Sequence, residues 1–580
     1  MSFRVQKDVQ VPMRDGVRLA TDLWIPEGDP APTLLVRLPY SKDLIQGAFS
    51  TGTNPEMFAL LEAGYAVVWQ DCRGAFRSEG RFEPMTSEPQ DGADTIAWLR
   101  QQPWCDGAIG TFGTSYLGFT QWAAASQGPD GLRAIAPTMT STDYYRAPWY
   151  TAGGTLAWHN VQFWATFMAL ATEKKALARG TGEPSTLVEL LNLMSNPQPE
   201  LMRLPLAEQP LLKKPCPWLS DWIAHPDRDE YWTQLSVEEN FSNVNTPALN
   251  IGGWFDIFVD STVRTYTRMK AEGGTTAARD GQRLIIGPWD HINSDGVYPD
   301  RQFGLLASPA AFDITDAHLR FFDRWLRNRA DALDDVAPVR IFVMGIDQWR
   351  DEQDWPLPDT QYIDYYLHSG GSAQTADGDG TLSLDLPAAN VTDSYTYDPL
   401  DPVPSIGGRA MMPAAINGAG PADQRSVEMR PDVLCFTTAI LEKPVEVTGH
   451  ITLHLFVSST APDTDFTGKI VDVHPDGKAL YVTDGILRAR YRNSLGAPEL
   501  LQPDEVYELT LDLSVTSNVF PPGHRIRLEV SSSNFPRYDR NTNTGEVIAE
   551  DGPERCVVAV NRVFHGPNYP SRLVLPVIAR

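Results

Sequence analysis

The sequence is poor in cysteine and histidine, and no long apolar run or excess of basic residues occurs in it. Five cysteines are scattered over 580 residues without a C-x-x-C pair. This spacing argues against a disulfide framework and against a cysteine-based zinc site. The ten histidines form no recognisable metal-ligand pattern. These scarcities favour a reduced protein in which neither disulfides nor a metal hold the fold.

The missing apolar runs and the charge balance exclude two kinds of partner. No segment approaches the length of a transmembrane helix, and the N-terminus has no apolar stretch of signal-peptide length. The net charge of −26 argues against nucleic-acid or anionic membrane surfaces, because phosphate binding needs clustered Lys and Arg. We therefore expect a cytoplasmic protein with no membrane or nucleic-acid partner. A homo-oligomer is compatible with the sequence.

Hydrophobic patterning changes twice along the chain. From Thr33 to about Asp143, short apolar runs that suit buried strands alternate with segments of helical spacing, and the alternation returns from about 240 to 350. Strands that alternate with helices predict βαβ units and a parallel sheet. The stretch between is rich in Trp, Leu and Met at helical spacing, so we expect a helical insertion there.

The last part of the chain has a different pattern. Beyond about Arg350, short alternating or β-branched segments are separated by Pro, Gly, Asp and Asn, which predicts a β-sandwich. The expected organisation is an α/β domain at residues 1–142 and 240–350, a helical domain at 143–239 and an all-β domain at 351–580.

A candidate nucleophile elbow lies at residues 113–118, Gly-Thr-Ser-Tyr-Leu-Gly. In such an elbow the serine stands on a tight turn between a strand and a helix, and small residues must surround it. The second glycine comes one position later than in G-x-S-x-G, but an apolar strand pattern precedes the motif and an Ala-rich helical pattern follows it. The motif predicts Ser115 as the nucleophile. A helix N-cap role for Ser115 stays open as the alternative.

A serine nucleophile needs a histidine base and a carboxylate that orients it, and in α/β-hydrolases these follow in the order Ser, acid, His. His291 follows Leu-Ile-Ile-Gly-Pro-Trp-Asp, which predicts a strand and then a Gly-Pro turn. His159 belongs to the helical insertion, and His318 lies in an amphipathic helix pattern that suits packing or the surface. The order and the preceding strand therefore favour His291 as the base.

The candidate acid is Asp256, which follows Asn-Ile-Gly-Gly-Trp-Phe, a predicted strand and glycine turn. Asp260 is expected inside the next helix, and Asp290 is adjacent to the histidine, a position from which two side chains seldom face each other. Asp256 could also cap a helix predicted at 257–266. The order and spacing favour the catalytic role.

Several motifs occur together in one order along the chain. They are Val-Pro-Met-Arg-Asp-Gly-Val-Arg-Leu at 11–19, the elbow at 113–118, Gly-Trp-Phe-Asp at 253–256, Gly-Pro-Trp-Asp-His at 287–291 and Asn-Val-Phe-Pro-Pro-Gly-His-Arg at 518–525. Together they resemble the cocaine esterase/X-prolyl dipeptidyl peptidase group of serine hydrolases, and within it the bacterial cocaine esterases. The resemblance runs nearly end to end. It implies an α/β-hydrolase with an inserted helical cap domain and a C-terminal all-β jelly-roll domain.

The same resemblance implies further site residues. An oxyanion hole would be built from the hydroxyl of Tyr40 and the backbone N–H of Tyr116. The walls of the acyl pocket would be Trp149, Trp164, Phe258, Met411 and Met412. Without the resemblance, the two tryptophans would more often be core residues of the cap, because Trp is usually buried for packing.

The function predicted from the sequence is that of a serine carboxylesterase for small-molecule esters with an aromatic or bulky acyl group. It would act through an acyl-enzyme and need no metal or organic cofactor. One alternative is an α-amino acid ester hydrolase or X-Pro dipeptidyl peptidase, which must bind a free amino group with carboxylates; Asp221 and Asp227 are candidates. Others are a carbohydrate- or ligand-binding protein with an inert hydrolase domain, and a general detoxifying carboxylesterase.

Overall fold

The computed structural model describes residues 2–44, 52–411 and 418–580. Within these ranges the chain forms a ten-stranded and an eleven-stranded sheet. The strands of the first sheet are β1 (Phe3–Pro12), β2 (Arg18–Pro26), β3 (Ala31–Leu38), β4 (Ala66–Asp71), β5 (Cys105–Thr114), β6 (Leu132–Thr138), β7 (Leu249–Phe255), β8 (Arg283–Asp290), β9 (Val339–Val343) and β10 (Gln348–Glu352).

The first sheet has the order β1-β2-β4-β3-β5-β6-β7-β8-β9-β10. Strands β3 to β9 are parallel, whereas β1, β2 and β10 pair antiparallel with their neighbours. Because β3 lies between β4 and β5, the strand order reverses at β3. Open α/β sheets bind ligands at the carboxyl ends of the strands beside such a switch point, which here is the end of β5.

Helices cover both faces of this sheet, because neighbouring residues of a strand point to opposite faces. Leu34 packs in a core with Phe321, whereas the next residue, Leu35, packs in another core with Phe119. The helices of this part are Met57–Glu62, Glu88–Leu99, Tyr116–Ala125, Val259–Glu272, Thr276–Asp280, Pro309–Phe312 and Ile314–Leu326.

Between β6 and β7 the chain is helical. This inserted segment, called the cap below, contains the helices Trp158–Ala178, Pro184–Ser195, Gln198–Leu201, Pro210–Lys213, Trp218–Ala224 and Glu230–Leu235, a π-helical turn at Tyr145–Trp149 and a 3-10 segment at Val237–Asn243. In the described part of the chain, no helix combines the length and the apolar character needed to cross a membrane.

The second sheet follows and is almost entirely antiparallel. Its strands are β11 (Thr360–His368), β12 (Thr381–Ser383), β13 (Val391–Tyr397), β14 (Leu434–Thr437), β15 (Val445–Ser459), β16 (Asp465–Val473), β17 (Ala479–Arg488), β18 (Tyr507–Phe520), β19 (Arg525–Ser531), β20 (Ala559–His565) and β21 (Arg572–Ile578), with a short helix at Arg425–Glu428. The predicted fold class, an α/β-hydrolase followed by an all-β domain, is confirmed. The domain boundaries stay predictions, and β10 ends at Glu352, just past the predicted boundary at 350.

The two predicted glycine turns are wrong. The Gly252–Gly253 pair lies inside β7, and Gly287 lies inside β8. A Cβ on Gly253 would stand 2.3 Å from the carbonyl oxygen of Trp289, and one on Gly287 would stand 2.3 Å from its indole ring. These glycines therefore allow close packing around Trp289 within the sheet, and they do not reverse the chain.

Candidate active site

Ser115 stands between β5 and the helix Tyr116–Ala125, with φ 66° and ψ −125°. A positive φ is uncommon for a residue with a side chain and marks a strained position held by its surroundings. Gly118 allows the tight approach, since a Cβ there would meet the Thr140 side chain at 2.6 Å. Ser115 occupies the N-cap position, but its hydroxyl makes no capping hydrogen bond to the helix. The Ser115 hydroxyl is therefore available to bond with other side chains.

The structure brings Ser115, His291 and Asp256 together. Nε2 of His291 lies 3.0 Å from Oγ of Ser115, and Nδ1 of His291 lies 2.8 Å from Oδ1 of Asp256. The Asp256 side chain is fully buried, and the His291 side chain is 6% exposed. When Nδ1–H donates to the carboxylate, Nε2 presents its lone pair to the serine hydroxyl. This is the arrangement that a general base requires.

Asp290 and Asp260, the two other carboxylates considered as the acid, lie in different surroundings from Asp256. Oδ1 of Asp290 accepts hydrogen bonds from the N–H groups of Ile292 and Asn293, each at 2.7 Å, which shapes the chain directly after the histidine. Asp260 lies inside the helix Val259–Glu272, as expected. This helix begins at Val259 without a side-chain cap, so the suggested N-cap role of Asp256 is wrong.

Tyr40 lies beside Ser115. The hydroxyl oxygen of this partly buried residue accepts a hydrogen bond from Nε1 of Trp164 at 2.9 Å, and the Ser115 side chain is close enough to affect the pKa of Tyr40. Burial raises the pKa of Tyr40 well above its ordinary value, so the phenol keeps its proton. With Trp164 donating to its oxygen, the Tyr40 O–H can point toward the reacting group.

Tyr116 contributes the first N–H of the helix that follows the serine. The first N–H groups of a helix have no acceptor within it, and they carry the positive end of the helix dipole. The Tyr116 side chain has another task, since its hydroxyl donates to Oε1 of Glu88 at 3.0 Å. The backbone and the side chain of Tyr116 therefore serve different partners.

The residues expected to line the acyl pocket form a continuous apolar cluster. The Trp149 and Trp164 rings lie 5.2 Å apart, the Phe258 ring lies 5.3 Å from the His291 imidazole, and Met411 belongs to the same buried cluster. The N–H of Met411 donates to Oδ1 of Asn160 at 3.3 Å, which joins the C-terminal part of the chain to the cap. Met412, the fifth predicted residue, lies outside the described residues.

Three further aromatic residues of this cluster were missed by the sequence analysis. Tyr144 lies 5.7 Å from Trp149 and 6.0 Å from Phe258, while Trp222 stacks on Trp164 at 5.8 Å and contacts Trp218 at 4.4 Å. Trp218 and Trp222 are four positions apart in one helix, so they share a face. That spacing was visible in the sequence, but the sequence did not indicate which of the 16 tryptophans lie beside Ser115.

The cap carboxylates considered for an amine site have other surroundings. The Asp227 carboxylate accepts a hydrogen bond from the Tyr491 hydroxyl at 2.7 Å, and Asp221 is exposed on the helix Trp218–Ala224. Beneath the elbow, the buried Glu88 pairs with Arg37 at 3.0 Å. Asp227 and Glu88 are thus already engaged by neighbouring donors, whereas Asp221 is exposed.

The two other histidines considered as the base are buried elsewhere. His159 and His318 are both inaccessible, and burial lowers the pKa of each to about 4. Nδ1–H of His318 donates to the carbonyl oxygen of Ile314 at 2.8 Å. His318 is therefore a core residue and not a surface one, and neither histidine is the base beside Ser115.

This burial predicts acid sensitivity. The folded pKa of His318 lies below the ordinary value of 6.5, so between pH 6.5 and 4 the unfolded state binds more protons and stability falls as the pH falls. At pH 5 this one group costs the fold about 2 kcal/mol. Between pH 7 and pH 5 we expect the unfolding temperature to fall less in His318→Asn than in the wild type. Calorimetry at the two pH values measures both falls. The surface variant His368→Asn should keep the wild-type loss; equal losses in all three proteins would contradict the assignment.

Comparisons with known proteins identify the family. Residues 15–293 match the sequence model of the X-Pro dipeptidyl-peptidase (S15) family, and residues 331–574 match that of the X-Pro dipeptidyl-peptidase C-terminal non-catalytic domain. Cocaine esterase of Rhodococcus sp. (strain MB1 Bresler) is 48% identical over 581 residues, which cover 100% of this chain and 99% of that protein. The chain belongs to the S15 family. The resemblance predicted from the motifs is thereby confirmed.

Solved structures agree with this assignment. An α-amino acid ester hydrolase superposes with a TM-score of 0.80 at 25% identity over 99% of this chain and 96% of that one. An aminopeptidase from a marine sediment Thaumarchaeota archaeon superposes with a TM-score of 0.81 at 26% identity over 100% and 96% of the two chains. Together with the esterase relative, the family identifies this S15 member as a serine hydrolase that acts on esters.

Proposed function

We propose that this enzyme hydrolyses small-molecule esters with an aromatic or bulky acyl group, using Ser115 as nucleophile, His291 as general base and Asp256 as the carboxylate that orients it. The observation that carries the proposal is the chain of two hydrogen bonds, 3.0 Å and 2.8 Å long, that links these three side chains. The aromatic cluster beside the serine supports the acyl preference, because it offers an apolar surface that matches a ring.

In the acylation step, Nε2 of His291 takes the proton of Ser115 as Oγ attacks the ester carbonyl carbon. The carbonyl oxygen becomes an oxyanion, and the Tyr40 hydroxyl and the Tyr116 N–H donate hydrogen bonds to it. The tetrahedral intermediate collapses when the bond to the leaving alcohol breaks, and the imidazolium of His291 gives that alcohol its proton. Asp256 holds the imidazole orientation and stabilises its charged form.

In the deacylation step, His291 removes a proton from a water molecule, which attacks the acyl carbon of the ester on Ser115. A second tetrahedral intermediate forms at the same donors and then releases the acid, with the proton returned to the serine oxygen. Both steps use the same base and the same oxyanion donors. No redox or metal chemistry enters either step.

The contacts favour an ester over an α-amino ester or an X-Pro peptide as substrate. Enzymes for the latter two need free carboxylates to hold the substrate ammonium group. The Asp227 carboxylate accepts from Tyr491, and Glu88 is paired with Arg37 and hydrogen-bonded to Tyr116. An acid that already has a partner gains less from a new cation than a free one, so Asp227 and Glu88 are disfavoured as ammonium ligands. The exposed Asp221 is the candidate that the amine-bearing substrates below test. The bonded serine and histidine also disfavour an inert hydrolase domain.

A panel of four substrates tests the proposed function. Phenyl acetate, a phenyl benzoate, an α-amino acid phenyl ester and an X-Pro anilide would be compared by kcat/KM with the same purified enzyme. We expect turnover of both simple esters with a preference for the benzoate, and at least tenfold lower values for the amino ester and the anilide. Preference for either amine-bearing substrate would overturn the proposed acyl class while leaving the serine mechanism in place.

The variant Trp149→Ala tests the acyl pocket directly. Loss of the aromatic wall removes about 1.5–3 kcal/mol of apolar contact to a benzoyl ring, so we expect kcat/KM for the benzoate to fall about 10–100-fold and that for the acetate much less. The ratio of the two values is its own control, because partial misfolding lowers both equally. Trp232→Ala, which removes another buried cap tryptophan, should keep the wild-type ratio. An unchanged ratio in Trp149→Ala would contradict the pocket assignment.

We also propose that the enzyme works in the cytoplasm. All five cysteines are free thiols in the structure, which suits a reducing compartment. Titration of freshly purified, denatured enzyme should therefore find five reactive thiols. Recovery of a disulfide from cells would contradict the location.

The strongly acidic charge supports the absence of a nucleic-acid partner.

A further inference from the structure

A cluster of two histidines and one aspartate lies at the corner of the all-β domain, outside the proposed active site. Asp472 is near the end of β16, His474 follows that strand directly, and His524 precedes the first residue of β19. Strands β16 and β19 pair antiparallel, with Asp472 opposite Ile526. This register brings the end of one strand to the start of the other and so gathers the three side chains.

The donor atoms of the cluster lie close to one another. Nδ1 of His524 lies 2.8 Å from Oδ1 of Asp472, Nε2 of His474 lies 3.7 Å from Oδ2 of the same carboxylate, and the two imidazole centroids are 4.4 Å apart. One potential ligand atom from each residue lies within 4.8 Å of the others. Tetrahedral zinc ligands at about 2.0–2.2 Å from the ion are about 3.4 Å from one another, a separation within the 4.8 Å that spans these donor atoms.

The cluster faces a cavity that is large enough for an ion and its water ligands. All three residues line a space of about 220 Å³ between the all-β domain and the α/β domain, whereas one water occupies about 30 Å³ of liquid. Asn518 lines the same cavity, is 7% exposed, and its Nδ2 has no hydrogen-bond partner among the described residues. A buried amide without a partner is costly, and a ligand or ordered water in the cavity would satisfy it.

The charge around the cavity is compatible with a cation. Arg301 also lines it from the α/β side, but its guanidinium pairs with Asp347. Asp472 is buried and lies beside imidazoles that bind metals when neutral.

We propose that Asp472, His474 and His524 form a binding site for one divalent transition-metal ion, with Zn²⁺ as the ion that fits the donors best. Two imidazole nitrogens and one carboxylate oxygen suit Zn²⁺ and its first-row neighbours, and they leave a position for water. The site would have a stabilising role, because the bound ion ties the end of β16 to the start of β19. It takes no part in the proposed ester hydrolysis.

Calorimetric titration of chelator-treated full-length enzyme with ZnCl₂ tests this site. We expect one equivalent to bind, with at least about 100-fold weaker binding in His474→Ala, and Co²⁺ should give a visible absorption band typical of a four-coordinate site. His474 is the ligand to change first, since it lies farther from Asp472 than His524 does and its loss leaves the 2.8 Å bond intact. His368→Ala, which removes a surface histidine of the same domain, is the matched control.

Thermal unfolding and ester turnover give two further readouts. Saturating Zn²⁺ should raise the unfolding midpoint of the wild type and of His368→Ala but not that of His474→Ala, because a ligand that binds only the folded state stabilises it. Phenyl acetate turnover should be the same with and without chelator. Failure of the wild type to bind one equivalent, or equal affinity in wild type and His474→Ala, would overturn the proposal and leave the cluster as a hydrogen-bonded Asp–His pair with a neighbouring histidine.

Discussion

Replacement of Ser115 by alanine is expected to lower kcat for phenyl acetate by about 10⁴-fold or more. The variant keeps the base, the carboxylate and the oxyanion donors, but it has no oxygen that can form an acyl-enzyme. Any remaining hydrolysis must proceed by direct attack of water at the same donors, which is a far slower reaction. Steady-state kinetics with both simple esters would measure the loss, and a pre-steady-state burst of phenol should appear in the wild type alone.

Ser126→Ala is the matched control for this variant. Ser126 stands at the other end of the same helix, where its hydroxyl donates to the carbonyl oxygen of Ala123 at 2.8 Å. Like Ser115→Ala, this variant loses one serine hydroxyl at an end of the helix Tyr116–Ala125, but at the end away from the triad. Its kcat should therefore stay within about threefold of the wild type. If Ser115→Ala retained more than about a tenth of wild-type turnover, the serine mechanism would have to be abandoned.

Much of the α/β domain was predictable from the sequence because its signals are local. The apolar run before Ser115 and the Ala-rich stretch after it predicted a strand and a helix, which the structure has as β5 and Tyr116–Ala125. The order of serine, acid and histidine along the chain, with the strand pattern before the histidine, then selected His291 from the ten histidines as the candidate base. The strand and helix inferences need only the residues within one strand–loop–helix unit, whereas the triad order relies on the general pattern of α/β-hydrolases.

The errors and omissions concern contacts between distant parts of the chain. Gly253 of β7 looked like a turn residue, yet it allows close approach of the Trp289 backbone from the neighbouring strand β8. Asn160 of the cap accepts from the backbone of Met411 far along the chain. The His474 and His524 side chains meet only because two strands pair in a particular register. No sequence spacing records such contacts, so the structure was needed to find them.

The convergence of three parts of the chain on one site has a physical consequence. Trp164 of the cap donates to the hydroxyl of Tyr40, which lies beside Ser115. A change in the cap can thus alter the proposed oxyanion donor without touching Ser115, His291 or Asp256. For this reason Trp149, which does not contact Tyr40 by a hydrogen bond, is the better choice for testing acyl specificity alone.

Replacement of Tyr40 by phenylalanine is expected to lower kcat about 10²–10³-fold, the usual cost of one oxyanion donor, or about 3–4 kcal/mol of transition-state stabilisation. The ring and its packing against Tyr116 and Phe167 remain, and only the hydroxyl is lost. Because the proposed role of that hydroxyl is to donate to the developing oxyanion, KM should change little and the loss should appear in kcat. The measurement is the full rate curve for phenyl acetate and the benzoate.

The control for the Tyr40 variant is Tyr65→Phe, in the same domain. The Tyr65 hydroxyl donates to Asp323 at 2.7 Å, away from the triad, so its loss should lower the unfolding temperature without lowering kcat. Tyr40→Phe also removes the acceptor of the Trp164 N–H, so both variants should lose unfolding temperature. A large fall in kcat in Tyr40→Phe alone then assigns the hydroxyl to the reaction. If kcat stayed within about threefold of the wild type, the oxyanion would be held by backbone N–H groups such as that of Tyr116, and the Tyr40–Trp164 hydrogen bond would only join the cap to the α/β domain.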